Sequence, residues 1–112
     1  MKNFVGWDDF EMITFEKGIP PYFSYKEDNI EIYMAPIPGR VIIEFFKGQE
    51  RLYPAVYVDV KITEMLSHIR ANDAEKIENL RKHILFEVLY EANQLYKRYH
   101  SEKLSTGQAL DK

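Results

Sequence analysis

The sequence predicts an α+β fold, in which an antiparallel sheet of four to five strands (about residues 10–62) precedes a short helix and a long C-terminal helix packed on one face of the sheet. In the first half of the chain, short segments of alternating apolar and polar residues are separated by Gly, Pro, Asn and Asp. From residue 73 onward, apolar residues recur every three to four positions, the period of a helix. Strands followed by helices are typical of α+β domains.

The strand predictions depend on alternation and on the turn residues that bound each segment. Five segments are predicted to be strands: residues 10–17, 22–26, 30–34, 41–47 and 55–62. Gly18-Ile19-Pro20-Pro21 ends the first, and Glu27-Asp28-Asn29 turns the chain between the second and third. Residues 41–47 are apolar on both faces, which predicts a central strand, and Pro36-Ile37-Pro38-Gly39 is predicted to be a rigid link before it. Pro54 is expected at the start of the last strand or at a bulge.

Two helices follow the last predicted strand. In that strand, one side is expected to carry Val56, Val58, Val60 and Ile62. Thr63 is predicted to cap a short helix over residues 64–71. A long helix is predicted from Asp73, a suitable N-cap, to about Ser101. Its apolar stripe comprises Ile77, Leu80, Ile84, Val88, Ala92, Leu95 and Tyr99, and its polar positions include Glu75, Asn79, Lys82, Glu87, Asn93 and Lys97.

The length and the aromatic residues of the long helix predict a partner. Phe86 and Tyr90 form an i,i+4 pair on the face opposite the main stripe. The helix would be about 43 Å long at 1.5 Å per residue, whereas a compact chain of this size is about 34 Å across. The overhanging turn would carry Tyr96 and Tyr99. These four aromatic residues are therefore the candidate interface, with a second copy of the chain as the expected partner.

Composition limits the function classes. The 112 residues suit one domain over residues 1–103, with residues 104–112 as a frayed tail. No cysteine is present, and the three histidines share no helical face, so we predict no metal site and no cofactor. The acidic first half, with six Lys/Arg against ten Asp/Glu in residues 1–60, disfavours broad phosphate binding. The first residues resemble no signal peptide and no apolar run spans a membrane, so the expected location is the cytoplasm.

Glu44, Asp59 and Lys61 form the sharpest catalytic pattern. An acid on one strand followed by acid-x-Lys on the next resembles the metal-dependent nuclease core written PD-(D/E)-x-K. The resemblance covers residues 41–62 and lacks the Pro-Asp dipeptide, the preceding helix and the following strand. It implies that the two carboxylates hold Mg²⁺ while the lysine stabilises charge. The alternative interpretation is a solvated strand face with a cross-strand charge pair.

The aromatic residues of the sheet offer a different hypothesis. Tyr25, Tyr33, Phe46 and Tyr57 are predicted to share the outer face, with Lys61 among the nearby lysines, and such a face can stack single-stranded RNA or DNA. The acidic Glu44 and Asp59 on the same face count against it. We therefore favour a small non-enzymatic protein that acts by association, a homodimeric regulatory or accessory factor. The alternatives are a single-stranded nucleic-acid-binding protein and a Mg²⁺-dependent nuclease.

Overall fold

A computed structural model describes residues 3–18 and 20–110, with side chains through Glu102. Its sheet strands are β1 (Glu11–Ile13), β2 (Tyr22–Glu27), β3 (Ile30–Ile37), β4 (Arg40–Lys47), β5 (Glu50–Arg51) and β6 (Val56–Asp59). The helices are α1 (Ile62–Arg70) and α2 (Ala74–Leu110), and a 3₁₀ turn covers Trp7–Asp9. An antiparallel sheet followed by a short and a long helix confirms the predicted α+β class.

The strands β1 to β4 form an antiparallel meander in chain order. The second edge of β4 is shared by β5 and β6, which confirms that β4 is a central strand. Ile43 lies opposite Val56, and Phe46 lies opposite Arg51. Two residues separate the pair on β4, but four separate the pair on the other strand, so a bulge of two extra residues divides β5 from β6. Pro54 lies in this bulge, where its missing N–H breaks no ladder.

The extents of β1 and β3 differ from the prediction. β1 covers three residues where eight were expected. β3 continues through Pro36 to Ile37, whereas the sequence suggested a rigid link there. The pairing of β3 with β2 ends at Met34. Pro36 lies beyond this ladder, so its missing N–H leaves no hydrogen bond to β2 unmade. A two-residue turn, Pro38-Gly39, then reverses the chain, and Gly39 adopts the positive φ of +77° that favours glycine.

The expected strand over residues 55–62 is wrong in its second half. β6 ends at Asp59, and Lys61 adopts the left-handed conformation at φ 53° and ψ 51°. Asp59 Oδ1 accepts a 2.8 Å hydrogen bond from the Lys61 N–H, a local contact that favours a turn over an extended chain. Helix α1 therefore begins at Ile62, and Thr63 lies inside the helix instead of capping it.

Helix α2 begins where the sequence places it and extends further. Asp73 Oδ1 accepts the Lys76 N–H at 3.1 Å, which confirms the predicted N-cap. The helix has 37 residues and continues past Ser101 to Leu110. The predicted fraying of residues 104–112 concerns motion and stays a prediction. Residues 111–112 lie outside the described residues, as do residues 1–2 and Ile19. The molecule is elongated, with extents of 62 × 29 × 24 Å, because the 37 residues of α2 alone span about 55 Å at 1.5 Å per residue.

The core lies between one face of the sheet and the predicted stripe of α2. Ile32, Ile43 and Phe45 of the sheet are fully buried, and Val88 and Leu95 pack from the helix. Burial of such side chains contributes about 1.5–3 kcal/mol each.

Asn93 was expected on the polar face of α2 but is 2% exposed. Its side-chain amide exchanges two 2.8 Å hydrogen bonds with the backbone of Val5, which is fully buried. The N-terminal segment thus covers a side of the helix that the helical period alone assigns to solvent.

Candidate functional site

The three residues of the nuclease-like pattern do not converge. Asp59 lies opposite Arg40 on β4, four residues from Glu44, a separation of about 13 Å along a strand. Lys61 leaves the sheet, and its Nζ lies 3.7 Å from Glu87 Oε1 on α2. Among the described residues no group of three or more His, Cys, Asp and Glu side chains could hold a metal ion. Glu44 instead forms an ion pair with Arg51 of β5, at 3.1 Å between Oε2 and Nη1.

The sheet face assigned to Tyr25 is wrong. Tyr25 lies opposite Ile32 and shares the inner face with it, where its side chain is 7% exposed. Its ring packs edge-on against Tyr96 at 6.1 Å between centroids. Neighbouring residues of a strand point to opposite faces, so the register that buries Ile32 places Tyr25 inside and Tyr33 outside.

The outer sheet face does carry an aromatic cluster. Tyr22 and Tyr33 have centroids 4.7 Å apart, and Phe15 lies 5.3 Å from Tyr22. Burial raises the pKa of Tyr33, and the nearby charges of Glu44 and Glu31 raise it further, as does the neighbouring tyrosine. The carboxylates that disfavour ionisation of the Tyr33 hydroxyl would also repel a phosphate group. The cluster is therefore suited to packing, and its electrostatics disfavour a nucleic-acid backbone.

Tyr57 lies on the same outer face and is 49% exposed. The cation beside it is Arg40, whose guanidinium carbon lies 5.4 Å from the ring centroid. Lys61, the expected neighbour, points toward Glu87 on the helical side. The predicted nucleic-acid surface thus keeps Tyr33, Phe46 and Tyr57 on one face but loses Tyr25 and Lys61.

Tyr96 and Tyr99 do not overhang the sheet. Their exposed fractions are 1% and 8%, so both belong to the core of their own chain. Tyr99 packs against Phe45 at 5.3 Å between centroids. The expectation that they form an interface is wrong for the described chain, because the elongated sheet extends as far along α2 as these residues. A round globule of about 34 Å would have left Tyr96 and Tyr99 uncovered.

A polar cluster, absent from the sequence prediction, joins the β2–β3 hairpin to the C-terminal half of α2. Glu27 Oε1 accepts hydrogen bonds from the hydroxyls of Tyr96 at 2.8 Å and Tyr25 at 2.9 Å. Its other oxygen, Oε2, lies 2.9 Å from His100 Nε2. Burial acts to raise the pKa of Glu27, but the two hydroxyls and His100 together lower it. The cluster stabilises an ionised carboxylate at the edge of the core and holds hairpin and helix together.

Phe86 and Tyr90 are placed as the sequence predicts, on the face of α2 turned away from the sheet. Their exposed fractions are 66% and 51%. The rings stack on each other with centroids 6.3 Å apart and planes inclined by 21°. Large exposed aromatic side chains on a regular element are typical of association surfaces. We name this surface the Phe86 face and define it by Glu75, Asn79, Lys82, Phe86, Tyr90 and Lys97.

Charges of opposite sign lie symmetrically about Phe86 on this face. Glu75 precedes Phe86 by eleven residues and Lys97 follows it by eleven, and all three side chains are exposed. Eleven residues correspond to about three helical turns, so the three lie along one side of the helix. In an antiparallel pair of such helices with Phe86 on the two-fold axis, each Glu75 lies opposite the other copy's Lys97.

No described helix has the length and hydropathy required to cross a membrane. Comparisons with models of known protein families, with curated proteins and with solved structures find no match to this chain. The Phe86 face, with its two stacked and exposed aromatic side chains, is the candidate functional surface of the described chain.

Proposed function

We propose that this protein works by association, as a homodimeric regulatory or accessory factor of the cytoplasm whose copies pair through the Phe86 face of α2. The single observation that carries the proposal is the stacked and exposed pair Phe86 and Tyr90, on the side of a long helix that its own sheet leaves uncovered. Removing aromatic area of this size from water contributes about 1.5–3 kcal/mol per side chain before the costs of association.

A second copy is the occupant that fits the distribution of charge. A two-fold interface brings the same patch together from both subunits, so it needs a surface complementary to itself. The Phe86 face meets this requirement, since Glu75 and Lys97 flank Phe86 at equal distance and carry opposite charge. The side of α2 between these two residues is about 33 Å long at 1.5 Å per residue. Asn93, seven residues after Phe86 on the same side, is 2% exposed beneath Val5, so the uncovered part runs from Glu75 to Tyr90 and is about 22 Å long. A second helix that pairs Glu75 with Lys97 therefore has to pass beside Val5.

Sedimentation velocity on the whole chain tests the proposal. With a dissociation constant of ~µM, the wild type is expected to shift from a mixture of monomer and dimer at about 1 µM to mostly dimer at about 100 µM. The double variant Phe86→Glu, Tyr90→Glu is expected to stay a monomer with unchanged far-UV circular dichroism. Phe15→Glu is the matched control: Phe15 is also an exposed aromatic residue, 54% exposed, but lies against Tyr22 on the sheet side. It should leave the dimer intact.

Two results would count against the proposal. A wild type that stays monomeric throughout this concentration range would exclude the dimer. A dimer that survives the double variant but is lost in Phe15→Glu would place the interface on the sheet. Charge reversal sharpens the test, because Glu75→Lys alone should weaken the dimer while Glu75→Lys combined with Lys97→Glu should restore it, provided that the helices are antiparallel about Phe86.

A further inference from the structure

An apolar cleft lies between α1 and α2, away from the Phe86 face. Six aliphatic side chains line it: Val60, Ile62, Met65, Leu66, Ile84 and Leu85. Its volume is about 360 Å³, within the range of small-molecule sites. The cleft stays open because α1 buries none of its residues fully, so Ile62 and Leu66 remain 48% and 45% exposed.

The charge in the cleft wall is already paired. Arg81 contributes the one ionisable side chain among the described lining residues. Its Nη2 and Nε donate to the two oxygens of Glu78 at 2.9 and 3.2 Å, a bidentate arrangement. Among the described lining residues a cationic ligand would find no carboxylate, and an anionic ligand would meet a guanidinium whose charge Glu78 already balances. The wall therefore favours a ligand without charge, which leaves this ion pair undisturbed.

A second cleft adjoins the first. Ile84 and Leu85 line both, and the second, with a volume of about 110 Å³, is bounded by Trp7 and Phe23 among others. Its lining is apolar as well. A chain-like molecule lying across Leu85 could contact both clefts, whereas a compact ring would occupy only the larger one.

We propose that the cleft between α1 and α2 binds an uncharged aliphatic small molecule, with its chain extending past Leu85 toward Trp7. Removal of the chain from water is the driving force, since the wall offers almost no hydrogen-bonding group. The site is independent of the proposed dimer, because Leu85 and Phe86 are neighbours on α2 and face about 100° apart.

Titration of the whole chain with decan-1-ol tests this site. Trp7 is the only tryptophan in the sequence, so its emission reports on the smaller cleft directly. Isothermal calorimetry supplies the stoichiometry, expected to be one alcohol per chain. Decanoate and decyltrimethylammonium, which share the chain but carry charge, are expected to bind at least roughly tenfold more weakly, a difference of about 1.4 kcal/mol.

Leu66→Glu is expected to weaken binding at least roughly tenfold, because it places a charge in the apolar wall. Ile69→Glu is the matched control on the same helix: Ile69 is 53% exposed and is not part of the lining. Leu66→Trp, which fills the cleft without charge, provides a second test should the glutamate variant fold poorly. The Phe86→Glu, Tyr90→Glu variant is expected to bind decan-1-ol like the wild type.

Three results would overturn the proposal. They are the absence of saturable binding up to the solubility limit of the alcohol, equal losses in Leu66→Glu and Ile69→Glu, and tighter binding of decanoate than of decan-1-ol. Loss of binding in the Phe86→Glu, Tyr90→Glu variant alone would show that the alcohol occupies the dimer interface, and this too would refute the site.

Discussion

Replacement of Asn93 by alanine should destabilise the protein more than any other single change of a polar residue on α2. The Asn93 amide donates from Nδ2 to the carbonyls of Val5 and Leu89, at 2.8 and 2.9 Å, and accepts the Val5 N–H at 2.8 Å. Val5 is completely buried, so neither of its backbone groups can turn to water in place of the lost amide.

The expected magnitude follows from these contacts. Each buried backbone group left without a partner costs about 1–3 kcal/mol, and two are left in Asn93→Ala. Alanine offsets about 0.5 kcal/mol through its better helix propensity, and release of the terminal segment limits the remaining loss. We expect a loss of about 2–4 kcal/mol in the free energy of unfolding, a large share of the total stability of a small domain.

Urea denaturation measures this change. At a slope of about 1–3 kcal/mol per molar urea, the midpoint should fall by about 1–2 M. Gln94→Ala is the matched control, because Gln94 is the next residue of the helix and is exposed; its change should stay within about 0.5 kcal/mol. Trp7 emission, two residues beyond Val5, should show the N-terminal segment leaving at lower urea than the helix signal. An Asn93→Ala midpoint within error of the wild type would refute the reasoning.

Three further predictions follow from the same structure. The pKa of Glu27 is lowered in the folded state. Its ionised carboxylate therefore stabilises the fold above the pKa of the unfolded chain, and this stabilisation is lost as pH falls through the folded pKa. Glu27→Gln should flatten this loss of stability in thermal melts at acid pH. Burial and the hydrogen bond to Glu102 raise the pKa of Tyr53 to about 12. The protonated hydroxyl therefore stabilises the fold below the pKa of the unfolded chain, and this stabilisation is lost as pH rises to about 12. Alkaline melts of Tyr53→Phe should therefore lose stability less steeply. Fluorescence titration with single-stranded oligonucleotides should show no binding to the sheet face; salt-sensitive binding that is abolished by Tyr57→Ala would contradict this expectation.

The sequence predicts the order and type of the elements well, because these depend on local periodicity. The N-cap at Asp73 and the stripe from Ile77 to Leu95 are encoded in consecutive residues of one helix. The β2–β3 hairpin and the central position of β4 likewise follow from alternation and from turn residues within a few positions. Phe86 and Tyr90 are identified in the same way, as an aromatic pair outside the stripe.

The candidate catalytic and nucleic-acid residues could not be placed by such patterns. Residues 55–62 alternate as a strand would, but the contact between Asp59 and Lys61 turns the chain into α1. A signal for this turn was present in the acid two residues before Lys61, since Asp favours such turns. Alternation alone places Lys61 on the sheet face, although its charge pairs with Glu87 on α2.

By itself, the sequence determined that this protein has an antiparallel sheet, a long amphipathic helix and an aromatic pair on the far side of that helix. Only the tertiary structure decided which aromatic residues remain available. Tyr25 and Tyr96 are buried against each other, whereas Phe86 and Tyr90 are exposed. The reason is physical: periodicity is a property of neighbours along the chain, but burial depends on strand register and on how far a sheet extends along a helix. Both of these arise from contacts between residues distant in sequence.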